Sequence, residues 1–331
     1  MIATMVSVGF KAVLWGLALI GFAVLVLGAL IASPLRRPPE LASISTTARA
    51  VDRSDMPGIE RFQARDGTVL GYRHYPAGAP SNPQIAIVVH GSSGSSIAVH
   101  ALAKGLAEHG VETYAPDIRG HGASGTRGDI GYLGQLEDDL ADFVAMIRKT
   151  SPVLPLTLIG HSSGGGFALR VAGSPLQNLF QRTVLLAPYL GYNAPTSRKD
   201  SGGWASPDIP RFLGLTALRR LGILCCESLP TIAFAVAPDS SAILAPTYSY
   251  RLMRNFGSSP DYRDDLSAAT KPVMVFAGAA DELMFPDKYK EAVGDRAQVR
   301  LIDGVNHMAI VSDPAAVSAI ADDVVKAGGG S

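Results

Sequence analysis

Pro155-Leu156-Thr157-Leu158-Ile159-Gly160-His161-Ser162-Ser163-Gly164-Gly165-Gly166-Phe167-Ala168-Leu169-Arg170-Val171-Ala172 is the stretch whose reading decides this chain. Its first five residues form a short apolar run of the kind buried in a parallel sheet. Gly165–Ala172 reads as a helix with close-packing glycines at its start. Between the two, Gly160-His161-Ser162-Ser163-Gly164 fits G-x-S-x-G, a sharp turn that lifts a serine hydroxyl clear of its neighbours. In a chain with 35 glycines the five-residue string alone is weak. The strand before it and the helix after it make it strong.

Working outward, short apolar strands alternate with helices. Ile59–Ala64 and Thr68–Tyr75 flank Arg65-Asp66-Gly67, a hairpin signature. Strands follow at Gln84–Val89, Val111–Pro116, Thr183–Ala187, Lys271–Gly278 and Gln298–Ile302, with helices at Ala98–His109, Gln135–Arg148, Pro286–Val293 and Pro314–Lys326. The pattern predicts an α/β fold: a mostly parallel central sheet with helices on both faces. Residues 189–269 break the rhythm and are expected to form a helical cap over the C-terminal edge of the strands, where α/β ligands bind. The expected domain therefore spans 59–326, with 327–331 as a flexible tail.

Ahead of it, Ala12–Ala32 carries no charge and matches the thickness of a bilayer's hydrocarbon, which predicts a single-pass membrane anchor within residues 1–33. A cleaved signal peptide is the alternative, although Leu27 and Leu30 stand where a cleavage site wants small residues. Lys11 precedes the run, and Arg36, Arg37 and Arg49 follow it, which leans toward a cytoplasmic catalytic domain. Residues 34–58, rich in Pro, Ser, Thr and Ala, read as a linker. The 331 residues balance to a formal net charge of zero without a long basic run, so nothing recommends nucleic acid as a partner. Cys225 and Cys226 are the only cysteines. They offer no disulfide framework and read as two small core hydrophobes.

A serine hydroxyl needs a base, and the base needs an orienting carboxylate. The histidine beyond Ser162 is His307, in Gly304-Val305-Asn306-His307-Met308, just after the last expected strand. The strand ending in Gly278 runs into Ala279-Ala280-Asp281, which makes Asp281 the chosen acid and Glu282 the neighbouring alternative. Acyl transfer also needs oxyanion donors. The backbone N–H of Ser163 and that of Ser92, in His90-Gly91-Ser92-Ser93, are the choices. Gly91 allows the approach and His90 braces the loop, while Ser92–Ser96 are candidates for substrate contact. Gly120-His121-Gly122-Ala123-Ser124-Gly125 matches G-x-G-x-x-G, yet Thr126-Arg127-Gly128-Asp129 continues as loop where a dinucleotide site needs a helix. No metal-ligand or phosphate-loop motif appears, so neither a metal nor another cofactor is expected.

His90-Gly91, Asp117-Ile118-Arg119-Gly120-His121-Gly122-Ala123-Ser124, Asp138-Asp139, Gly160–Gly165, Asp281 and His307 occur in the order of an α/β-hydrolase. More narrowly the chain resembles the monoacylglycerol lipase/lysophospholipase branch, the serine aminopeptidase S33-like hydrolases, over about Gln84 to Val311. The resemblance implies Ser162 as nucleophile, Asp281 as acid and His307 as base. Two positions depart from the family pattern: Ser163 where Met is frequent, and Ser92-Ser93-Gly94-Ser95-Ser96 where charged and aromatic residues are usual. The expected function is hydrolysis of a small-molecule or lipid ester at a membrane. A thioesterase, peptidase, C–C hydrolase or non-catalytic ligand-binding protein are the alternatives.

Overall fold

The computed structural model describes residues 2–78 and 83–328. In chain order its elements are α1 (Ile2–Ile31), α2 (Ala42–Arg49), β1 (Glu60–Gln63), β2 (Val69–Tyr75), β3 (Gln84–Val89), α3 (His100–Glu108) and β4 (Val111–Pro116). There follow α4 (Gln135–Ile147), β5 (Leu156–His161), α5 (Ser163–Ala172), β6 (Arg182–Leu186), β7 (Ala205–Pro207), α6 (Ile209–Arg220), β8 (Pro230–Phe234) and β9 (Thr247–Ser249). The last are α7 (Tyr250–Asn255), α8 (Tyr262–Ala268), β10 (Val273–Gly278), α9 (Tyr289–Val293), β11 (Gln298–Ile302) and α10 (Pro314–Gly328). Of the tail expected at 327–331, α10 takes in the first two residues, and 329–331 lie outside the described residues.

One sheet runs β1-β2-β4-β3-β5-β6-β10-β11, antiparallel at its first two pairings and parallel from β4 onward. Alternation along a strand sends neighbouring residues to opposite faces, and both faces are covered. In β3, Ile85, Ile87 and Val89 join a core with Phe143 of α4 and Phe167 of α5. Ala86 and Val88 join a second core with Leu102 and Leu106 of α3 and Ile320 and Val324 of α10. The strands' C-terminal ends converge on one edge, and the loops that carry chemistry leave from there.

The insert between β6 and β10 is mixed, which corrects the expectation of a helical cap. A three-stranded antiparallel sheet, β7-β8-β9, lies beside α6 and α7, while α8 packs on α5. Strands of 3 residues are too short to leave a periodicity in the sequence.

Residues 34–58 are not a free linker either. Leu41 N–H donates to the Ala235 carbonyl of the cap at 3.0 Å, and Ile44 of α2 is buried in the larger core. Thr47 Oγ1 accepts from Asn306 Nδ2 at 3.1 Å, one residue before His307, and Asp55 pairs with Lys104 of α3 at 2.6 Å. Low apolar content hid this segment, because a single well-placed Ile44 makes no pattern. Ile44→Ala is expected to lower unfolding free energy by about 2–5 kcal/mol. A denaturation midpoint equal to that of the parent chain would show that the segment is only laid on the surface. A chain started near Met56 would lose all of these contacts.

Candidate functional site

The turn after β5 is held by close backbone packing. A Cβ on Gly160 would collide with the Gly164 carbonyl, and one on Gly164 with the His90 carbonyl. Ser162 sits between them at φ 55°, ψ −118°, a conformation that non-glycine residues avoid and that costs about 1–3 kcal/mol. Its N–H donates to the Leu186 carbonyl at 2.9 Å, and its own carbonyl accepts from Gly166 and Tyr189 at 3.0 Å each. These bonds over-determine the strained turn. They leave the Ser162 side chain at the N-terminus of α5, where orphan N–H groups and the helix dipole favour negative charge.

His307 and Asp281 come together as the sequence suggests. Nδ1–H of His307 donates to Asp281 Oδ2 at 2.8 Å, and both side chains are buried. The other Asp281 oxygen accepts from the N–H groups of Leu283 at 2.8 Å and Met284 at 2.9 Å. Burial alone would raise the Asp281 carboxyl, but the His307 ring and these N–H donors outweigh it and hold it below its ordinary value. Glu282 has a different position. Its Oε2 accepts from the His307 backbone N–H at 3.0 Å, so it touches the loop and not the ring.

His161 bridges serine and histidine. Its Nε2–H donates to the His307 carbonyl at 3.1 Å, and the two rings lie 5.0 Å apart. The Ser162 hydroxyl has no hydrogen-bond partner among the described residues, and the residue as a whole is 6% exposed. Serine–histidine bonds are often long in a free enzyme and tighten around substrate.

The loop after β3 reaches the same place. A Cβ on Gly91 would lie 3.1 Å from both Ser162 Cβ and His161 Nδ1, so a side chain there would crowd the turn. Among the described residues, the backbone N–H groups of Ser92 and Ser163 are engaged by no other group. His90 spends both ring nitrogens on the backbone: Nδ1–H donates to Gly91 O at 2.8 Å, and Nε2 accepts from Ile118 N–H at 3.2 Å. Ser93, Ser95 and Ser96 hydroxyls are buried without a partner, whereas Ser92 Oγ accepts from Trp204 Nε1 of the cap at 2.9 Å. The glycine-rich run 120–125 is a loop with internal bonds, and the next helix begins only at Gln135.

Several residues escaped the sequence reading. Asp117 accepts from Ser96 N–H at 2.7 Å and from Ala123 N–H at 2.8 Å, tying the two loops together. Tyr248 of the cap accepts from Ser93 N–H and bonds His121 Nε2 at 2.6 Å. Asp117 lay inside a quoted motif, but its role as a loop brace was not read from it. Trp204–Ser92 and Tyr248–Ser93 join residues 112 and 155 positions apart, which no local pattern signals.

His90, His121 and His161 are buried, and burial holds all three imidazoles below their ordinary value of 6.5, His161 at about 3. His90 adds to the effect on His121, and His307 to that on His161. The folded state therefore refuses protons that the unfolded chain accepts. The stability this gives is complete above the unfolded value and is lost as pH falls through it, by up to about 1.4 kcal/mol per pH unit per histidine. The melting temperature should drop between about pH 7 and pH 5. A flat dependence would contradict neutral burial of these rings.

A strained serine at the strand–helix turn, on an eight-stranded sheet with an acid–histidine pair at the same edge, defines an α/β-hydrolase. Residues 80–314 match the family described as serine aminopeptidase, S33, and the chain belongs to that hydrolase family. It is 30% identical over 152 residues to human monoglyceride lipase, covering 45% of this chain and 48% of that one. It is 32% identical over 105 residues to a monoacylglycerol lipase of Mycolicibacterium smegmatis, covering 31% and 37%. The chain thus spans about half or less of the length of these curated relatives. In fold it is similar to a soluble variant of monoglyceride lipase from Saccharomyces cerevisiae solved with a substrate analogue. There the TM-score is 0.61 at 16% identity, over 84% of this chain and 96% of that one.

Proposed function

We propose that the protein hydrolyses carboxylic esters with an apolar acyl chain, through an acyl-enzyme on Ser162, at a membrane in which α1 is the anchor. The observation that carries the reading is the His307–Asp281 pair beside a strained Ser162 flanked by two uncommitted N–H groups. In this reading His307 takes the Ser162 proton as the hydroxyl attacks the ester carbonyl. Asp281 holds the ring in the tautomer with Nε2 free and offsets the imidazolium charge. The N–H groups of Ser92 and Ser163 receive the oxyanion, with the α5 dipole behind them. His307 then protonates the leaving alcohol, and water activated by the same ring releases the acid.

The lipid preference draws on the similarity to monoglyceride lipases and on Val13–Ile31, whose mean hydropathy is 2.6. Turnover on p-nitrophenyl esters of graded chain length, beside the matching anilides, tests it. Ester cleavage that rises with chain length supports the reading. Anilide cleavage at comparable kcat/KM would favour a peptidase. The span is tested apart from the chemistry: full-length protein should stay in membranes through high-salt and alkaline washing, and a peripheral protein would be stripped.

His307 must be neutral to act as base, so kcat/KM for a neutral ester should fall on the acid side with uptake of a single proton. A pH-independent rate would place another group, or a physical step, in control.

A further inference from the structure

The loop that carries His307 is held from several sides. The Val305 carbonyl accepts from Ala280 N–H at 3.0 Å, the His307 N–H donates to Glu282 Oε2 at 3.0 Å, and the His307 carbonyl accepts from His161 at 3.1 Å. These partners stand at or just after the C-terminal ends of β5 and β10, inside the segment 80–314 that matches the family. Asn306 adds a hold from outside that segment. Its Oδ1 accepts from Ala309 N–H at 2.8 Å, and its Nδ2 donates to Thr47 Oγ1 of α2 at 3.1 Å.

The amide makes this hold directional. With Oδ1 committed to Ala309, the Asn306 side chain closes a ring around His307 and Met308, and Nδ2 is left needing an acceptor. Thr47 offers an oxygen whose own proton goes to the Ser43 carbonyl at 2.9 Å. The sense of donation is therefore set along the whole chain, from Asn306 to Thr47 to Ser43. Ile44 and Thr47 are three residues apart and share a face of α2, so burying Ile44 in the larger core also presents Thr47 to the loop. The start of the same helix reaches the oxyanion loop. Leu41 N–H donates to the Ala235 carbonyl at 3.0 Å, Ala235 N–H to the Trp204 carbonyl at 2.9 Å, and Trp204 Nε1 to Ser92 Oγ at 2.9 Å. One short helix thus ties together the loops on either side of Ser162.

The placement matters because the Ser162 hydroxyl has no partner in the free protein. To take its proton, a base must settle within about 2.6–3.2 Å of it when substrate binds. We propose that α2 belongs to the scaffold of the active site, and that Thr47 is a positioning residue which, through Asn306, sets where His307 stands for proton transfer. The proposal rests on the reading of His307 as the general base.

Full-length protein in detergent, assayed on a short p-nitrophenyl ester, tests it. Thr47→Val keeps nearly the same shape and removes the acceptor. Its kcat should fall about tenfold while KM stays within about twofold, because proton transfer needs the ring in place and substrate binding does not. Thr47→Ser, which keeps the hydroxyl, should restore kcat to within about twofold of the parent chain. Asn306→Leu already breaks the bond, so adding Thr47→Val to it should cost less than about a further twofold. Each rate is expressed per active site, counted by fluorophosphonate labelling. A threonine that only supports the fold would reduce the number of labelled sites and leave kcat per site unchanged, and that result overturns the proposal. Fully additive losses in the double variant, or a rise in KM at constant kcat, overturn it as well. His307→Ala separates this claim from the one beneath it. If His307→Ala is inactive while Thr47→Val matches the parent chain, the positioning role alone is refuted. If His307→Ala keeps the parent rate, the base is misassigned and the role of Thr47 falls with it.

Discussion

Ser162→Ala is expected to leave a folded protein whose kcat on any ester it hydrolyses falls by about a millionfold, to the residue left by oxyanion donors and binding alone. Alanine fits the turn, because the bonds that hold it run through the Ser162 backbone N–H and carbonyl and not through the hydroxyl. The loss therefore belongs to chemistry and not to folding, and an unchanged melting temperature in the same sample separates the two. Ester hydrolysis at a rate near that of the parent chain would remove Ser162 from the mechanism.

Asp281→Asn carries the second large effect, a fall in kcat of about ten-thousandfold. Asp281 Oδ2 accepts from His307 Nδ1 while Oδ1 accepts from Leu283 and Met284 N–H. An asparagine can satisfy those N–H groups only by turning its NH2 toward His307. That flips the imidazole to the tautomer whose Nε2 carries the proton, and such a ring cannot accept one from serine. Glu282→Gln is the matched control: its carboxylate meets only the His307 backbone N–H, which a side-chain amide oxygen also accepts. The rate should fall by about tenfold or less. If Glu282→Gln proved the more damaging change, the acid would be misassigned.

The parallel sheet and its active edge were legible because strands such as Gln84–Val89 and Leu156–His161 are largely apolar, and because turn glycines mark where they end. Ser162, Asp281 and His307 could be named as candidates for the same reason: each follows a recognisable strand, and chain order limited the choice. The strap around Ile44 and the small cap sheet were not. Their stability comes from contacts to distant segments, such as Leu41 with Ala235, and neither has a repeat long enough to show a period. The cysteines, expected in the core, misled because small apolar residues are usually buried, whereas here both are exposed in the turn after α6.

The central claim is that Ser162 is a nucleophile activated by the His307–Asp281 pair. Reaction of the full-length protein with a fluorophosphonate, followed by peptide mapping by mass spectrometry, tests it most directly. A single phosphonyl adduct is expected on the peptide that contains Ser162, forming more slowly at acid pH and in Asp281→Asn, and absent from Ser162→Ala. An adduct on another residue, or an unmodified Ser162 in protein that still cleaves esters, would contradict the account.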